Sequence, residues 1–135
     1  MPIRALLLLI LLGSASLFAQ ADRIPEKYNN INGMDFFSLS AKQASEKAIA
    51  LAKKDFANGI YRTFISGQPA LSLSIGEMYL QEYSIYTVPI AGCNVSEGIH
   101  GAEQGYNDTM KPLLIKKFGK DIFAEAKKQE EKAKP

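Results

Sequence analysis

The chain has 135 residues, 47% hydrophobic and 22% charged, with one Cys and no Trp. That length sets a single domain, and the composition excludes a collagen-like, wholly disordered or disulfide-stapled chain. Sixteen Lys and Arg against fourteen Asp and Glu leave a net charge of +2, too balanced for general nucleic-acid binding, which needs a clustered basic excess.

The first residues read as an export signal. Arg4 gives a short positive region, Ala5 to Leu12 is an unbroken apolar run, and Gly13, Ser14 and Ser16 loosen the helix after it. Ala19-Gln20-Ala21 puts small residues where a signal peptidase reads them, which predicts a leader over 1–21 cleaved before Asp22. The run is short against the ~20 residues of a membrane-spanning helix. No Cys succeeds it to take a lipid, so the expectation is a soluble periplasmic or secreted protein with no stable membrane anchor after cleavage. Removing 21 of 135 residues leaves 114, and since Arg4 goes with the leader the charge falls to +1.

Residues 22–39 lack a sustained period and hold Pro25, Asn29-Asn30 and Asn32-Gly33, which predicts an extended, partly mobile lead-in. Phe36 and Phe37 are its expected attachments to the core. Ser40-Ala-Lys-Gln43 has the spacing of a capping box. Ala44, Ala48, Leu51, Ala52 and Phe56 then recur at three- and four-residue spacing, predicting a helix over 41–57 that stops at Asn58-Gly59. Ile60 to Ile65 reads as a strand. Ser74-Ile-Gly-Glu77 is a second capping box before a short helix, and Ser84 to Ala91 a second strand whose Pro89 cannot donate to a ladder. Tyr83 and Tyr86 fall on opposite faces of that strand. This order predicts a βαβ unit with a right-handed crossover. The alternative makes Leu71 to Ile75 a strand and the whole a meander.

Ser96 is placed to cap a further helix with Ile99, Ala102, Tyr106, Met110, Leu113 and Leu114 on one side. Gly98, Gly101 and Gly105 weaken it, and Pro112 predicts a break with a fresh start at Asn107 or Asp108. Gly119 ends that piece. A last helix covers 120–132, with 126–135 a charged, fraying tail. The fold class is therefore α/β: a small sheet packed by an N-terminal helix and two or three C-terminal helices, with residues 40–125 forming one domain.

Two stretches resemble known sequences: Ala91-Gly92-Cys93-Asn94-Val95, and Gly105-Tyr106-Asn107 followed by Met110, Pro112 and Phe118-Gly-Lys-Asp-Ile-Phe123. Together they resemble a group of short exported bacterial proteins without assigned activity, over roughly residues 41–125. The resemblance implies a small α/β domain and supplies no mechanism.

Few residues point to chemistry. Cys93, the one Cys, has no internal partner for a disulfide. It reads as a buried small apolar residue at a strand end, as an intermolecular bridge, or as a thiolate activated by a helix start. His100 comes seven residues later. Two helical turns, about 10 Å on the standard rise, part it from Cys93, too far for a Cys–His pair, so it reads as a solvent-facing His. Glu97, His100, Glu103 and Gln104 share a helix side but offer too few His or Cys for structural zinc. No metal and no cofactor is expected. Asn94-Val-Ser96 and Asn107-Asp-Thr109 fit glycosylation acceptors and read as inert in a bacterial product. The candidate contact residues are Asn94, Tyr106 and Asn107, within a chain rich in Tyr, a residue suited to interfaces. The sequence thus favours a non-catalytic binding module that contacts another envelope protein or its own copy. The alternatives are a thiol-dependent enzyme or redox protein using Cys93, and an inhibitor or immunity-type protein of an envelope enzyme.

Overall fold

A computed structural model describes residues 24–67 and 73–135, and the predicted leader lies outside them. Among the described residues, seven elements occur in order: α1 (Met34–Phe37), α2 (Ala41–Ala57), β1 (Tyr61–Ser66), α3 (Ile75–Gln81), β2 (Ile85–Ala91), α4 (Glu97–Phe118) and α5 (Ile122–Ala133). The strands pair in parallel, with Tyr61 opposite Ile85 and Phe64 opposite Val88. Chain order β1–α3–β2 is therefore a crossover, and the meander is excluded. Ser74 caps α3 and Ile75 opens it, so these two residues do not extend a strand.

Both predicted capping boxes close. Ser40 Oγ accepts from Gln43 N at 3.1 Å while Gln43 Oε1 accepts from Ser40 N at 3.2 Å. Ser74 and Glu77 repeat the arrangement. Each box gives side-chain acceptors to two amides at a helix start that the helix itself leaves open.

The lead-in differs from its expected form. It carries the short helix α1, Tyr28 and Phe36 are buried, and Phe37 stays 38% exposed. Phe36 alone of the pair is the attachment. Tyr83 lies in the turn before β2 rather than in the strand, so it shares no strand face with Tyr86. Helix α4 runs unbroken through Pro112, contrary to the predicted restart. Proline removes the bond to the carbonyl four residues back, that of Asp108. Asp108 and Pro112 are both exposed, so water replaces the missing donor. Asp121 Oδ1 accepts from Ala124 N at 3.0 Å, and the last helix, α5, runs to Ala133, one residue past its predicted end.

The glycines of α4 are packing positions. A Cβ at Gly101 would collide with the Ala41 carbonyl oxygen, and one at Gly105 would lie 2.8 Å from that of Ser45. Contacts that advance together along both chains mean that α2 and α4 run parallel, backbone against backbone. Ala44, Ala48 and Ala52 of α2 and Ile99, Ala102, Tyr106, Met110 and Leu114 of α4 are buried, closing the core with Phe64, Ile85, Val88 and Ile90 of the sheet.

Candidate functional site

The strands end at Ser66 and Ala91, and α4 begins just after β2, so one edge of the molecule gathers two strand ends and a helix start. In open parallel sheets that edge is where ligands collect. Two depressions flank the first turns of α4 there.

The first is apolar and has a volume of about 400 Å³, within the range of small-ligand pockets. Gly33, Met34 and Phe37 form one wall; Ile90, Gly92 and Asn94 form the other, with Ile99 at the base. Met34 and Phe37 are three residues apart in α1, which turns both toward the groove. They are 68% and 38% exposed. The wall is held in place by Ser96, whose hydroxyl donates to the Phe37 carbonyl at 2.7 Å and accepts from Ile99 N at 3.3 Å. Gly33 lies directly against the Ile90 carbonyl.

The second depression is polar, about 370 Å³, lined by Ser66, His100, Glu103, Gln104, Asp108 and Lys111 along with Asn107. The Ser66 hydroxyl donates to the Glu103 carboxylate. His100 is solvent-facing, as its helix side predicted. Among the described residues, no group of three or more His, Cys, Asp or Glu is arranged to hold a metal ion.

Cys93 is exposed in the loop between β2 and α4, which corrects the expectation of a buried thiol. The strand ends at Ala91, and Gly92 and Asn94 on either side of Cys93 are exposed with it. The three candidate contact residues part company. Asn94 lines the apolar groove. Tyr106 is wholly buried, its ring stacked on Phe64 with centroids 3.8 Å apart, and offers a ligand no surface. Asn107 faces β1: its Oδ1 accepts from Phe64 N at 2.7 Å and its Nδ2 donates to Phe64 O at 2.8 Å. That side-chain amide substitutes for the peptide of a third strand and closes an open strand edge.

Arg62 is not among the candidates the sequence singles out, yet the fold places it at its centre. Its side chain is 2% exposed, and Nη2 and Nε lie 2.7 Å and 3.0 Å from Asp55 Oδ2. Nη1 donates to the Tyr28 carbonyl at 2.7 Å and to Asn30 Oδ1 at 2.9 Å. Tyr106 completes the cluster, donating to Asp55 at 2.6 Å. Burial, then the bond to Asp55, holds the Tyr106 phenol far above its ordinary range. The guanidinium thus fastens the lead-in, and with it the start of the groove wall, to α2, β1 and α4. The available signal is an Arg inside an apolar strand, seven residues after an Asp across a Gly turn.

Compared with known proteins, the chain matches no protein-family model, no curated protein and no solved structure. Its class is that of a small parallel α/β unit.

Proposed function

We propose that the chain is an exported, non-catalytic binding module of the cell envelope, taking an apolar side chain of a partner into the groove between α1 and the end of β2. The observation that carries this reading is the pairing of exposed Met34 and Phe37 with a concave apolar wall of about 400 Å³. Large apolar side chains beside a concave surface mark contact sites, because burying them on a partner releases about 25 cal/mol per Å². The export leader read from residues 1–21 supplies the compartment.

The test is photo-crosslinking in intact cells from a probe at position 34, with position 132 on the far part of α5 as control. Gly92→Leu puts a bulky side chain on the groove wall, and its Cβ meets nothing within 4 Å. The reading expects a discrete adduct from position 34 that Gly92→Leu abolishes. Equal adducts from both positions, or adducts indifferent to Gly92→Leu, contradict it. An adduct lost in Cys93→Ser but kept in Gly92→Leu transfers the function to the thiol.

A further inference from the structure

The opposite end of the molecule carries a different surface. Because α2 and α4 run parallel, their carboxyl ends meet at the start of β1. Five rings there touch in sequence: Phe56 to Tyr61 at 5.7 Å between centroids, Tyr61 to Phe118 at 6.4 Å, Phe118 to Tyr83 at 5.0 Å, and Tyr83 to Tyr79 at 5.6 Å. All five are half-buried, so the row reaches the surface without projecting from it. Lys117 Nζ lies 5.6 Å above the Tyr61 ring and Lys120 Nζ 5.3 Å above that of Tyr83. The Lys120 ammonium beside it, and then the Tyr79 hydroxyl, holds the Tyr83 phenol below its ordinary range.

Charge is segregated along the same axis. Within α4, Glu97, Glu103 and Asp108 precede Lys111, Lys116 and Lys117. At the ringed end, exposed Lys53, Lys54, Lys116, Lys117 and Lys120 outnumber Glu82, Asp121 and Glu125. Part of this excess balances the negative ends of two helices. The remainder faces outward.

We infer that this end docks reversibly on an anionic bilayer, with lysines 53, 54, 116, 117 and 120 against the headgroups and the aromatic row at the interface. Amphipathic rings beside long cationic side chains match the headgroup region, where an apolar body and a polar tip are both accommodated. A nucleic acid fits less well: it would stack its bases on open ring faces, and Lys117 and Lys120 lie over two of these. The groove faces away from such a surface, so membrane docking and groove binding can fail independently.

The test is cosedimentation of the mature chain with vesicles of phosphatidylcholine alone or mixed with equal phosphatidylglycerol, at low and high salt. Binding is expected only to the anionic vesicles. Salt should weaken it, since the screening length drops from roughly 30 Å at 0.01 M to about 10 Å at 0.1 M. Lys117→Glu with Lys120→Glu should lower it at least about 30-fold, the loss of two lysine–surface attractions. Lys132→Glu with Lys134→Glu makes the same change in net charge some 15 Å or more along α5 and should leave binding within a few-fold. Equal binding to both vesicle types, no binding at low salt, or equal losses in the two double variants overturns the inference. So does binding to duplex DNA without binding to vesicles. Circular dichroism confirms that each variant is folded before it is compared.

Discussion

Replacing Asp55 by Ala removes the one carboxylate beside a guanidinium that is 2% exposed. Arg62 would keep the Tyr28 carbonyl and Asn30 but lose the acceptor shared by Nε and Nη2, and the Tyr106 hydroxyl would lose its own acceptor. Stranding one member of a buried ion pair costs about 3–5 kcal/mol, a large part of the roughly 5–15 kcal/mol that holds a domain of this size together. With a urea slope of about 1–3 kcal/mol per molar, the unfolding midpoint should drop by roughly 1–5 M. Asp55→Asn keeps an acceptor and should lose less. Asp55→Ala combined with Arg62→Met removes the stranded charge and should recover much of the loss, because apolar replacement of a whole buried pair is often neutral. The assay is urea denaturation followed by circular dichroism. A midpoint for Asp55→Ala no lower than that of the exposed Asp35→Ala, or a double variant weaker than Asp55→Ala alone, would refute the reasoning.

Three further outcomes rest on the same geometry. The Tyr106 phenol is held above its unfolded value near 10, so the unfolded chain releases that proton first. The stability it contributes is intact below about pH 10 and lost as pH climbs beyond it. Tyr106→Phe should flatten that alkaline decline in urea midpoints taken across about pH 8–11, and an unchanged slope would remove the phenol from the account. Gly101→Ala drives a Cβ into the Ala41 carbonyl oxygen and should destabilise by about 2 kcal/mol or more, whereas Gly92→Ala, in open space, should be neutral; thermal melts of the two decide it. Asn107→Ala leaves the Phe64 N–H and carbonyl without their side-chain partner and should cost about 1–3 kcal/mol, with faster amide exchange at Phe64 as its local signature.

What the sequence discloses is local. Ser40 with Gln43, and Ser74 with Glu77, mark two helix starts, because a capping box is complete within four residues. The β-branched and aromatic runs place both strands to within a residue at each end, and the intervening short helix implies their parallel order. The differences come from context. Pro112 and the glycines of α4 argue against a long helix on propensity, yet solvent at Asp108 and the close approach of α2 reverse that argument. Residue type alone suggests a buried Cys93, whereas its burial depends on where the loop leaves the sheet. Tyr106 and Asn107 stand out for their chemistry, and that chemistry serves β1 itself. Arg62 escapes notice because a charge in an apolar run declares nothing until its partners, 7 to 44 positions away in sequence, are seen around it. Of the groove residues, only Asn94 is a contact candidate on sequence, since the walls come from segments that meet only in the fold.

The groove itself is the central claim, and nuclear magnetic resonance reads it most directly. N-acetyl-phenylalaninamide is titrated into the isotope-labelled mature chain, as the wild type and as Gly92→Leu. Saturable shifts at Gly33, Met34, Phe37, Ile90, Gly92 and Asn94, with Lys117 and Lys132 unmoved and all shifts lost in Gly92→Leu, are the predicted result. Shifts scattered over the surface that scale linearly with ligand, or that persist unchanged in Gly92→Leu, would contradict it.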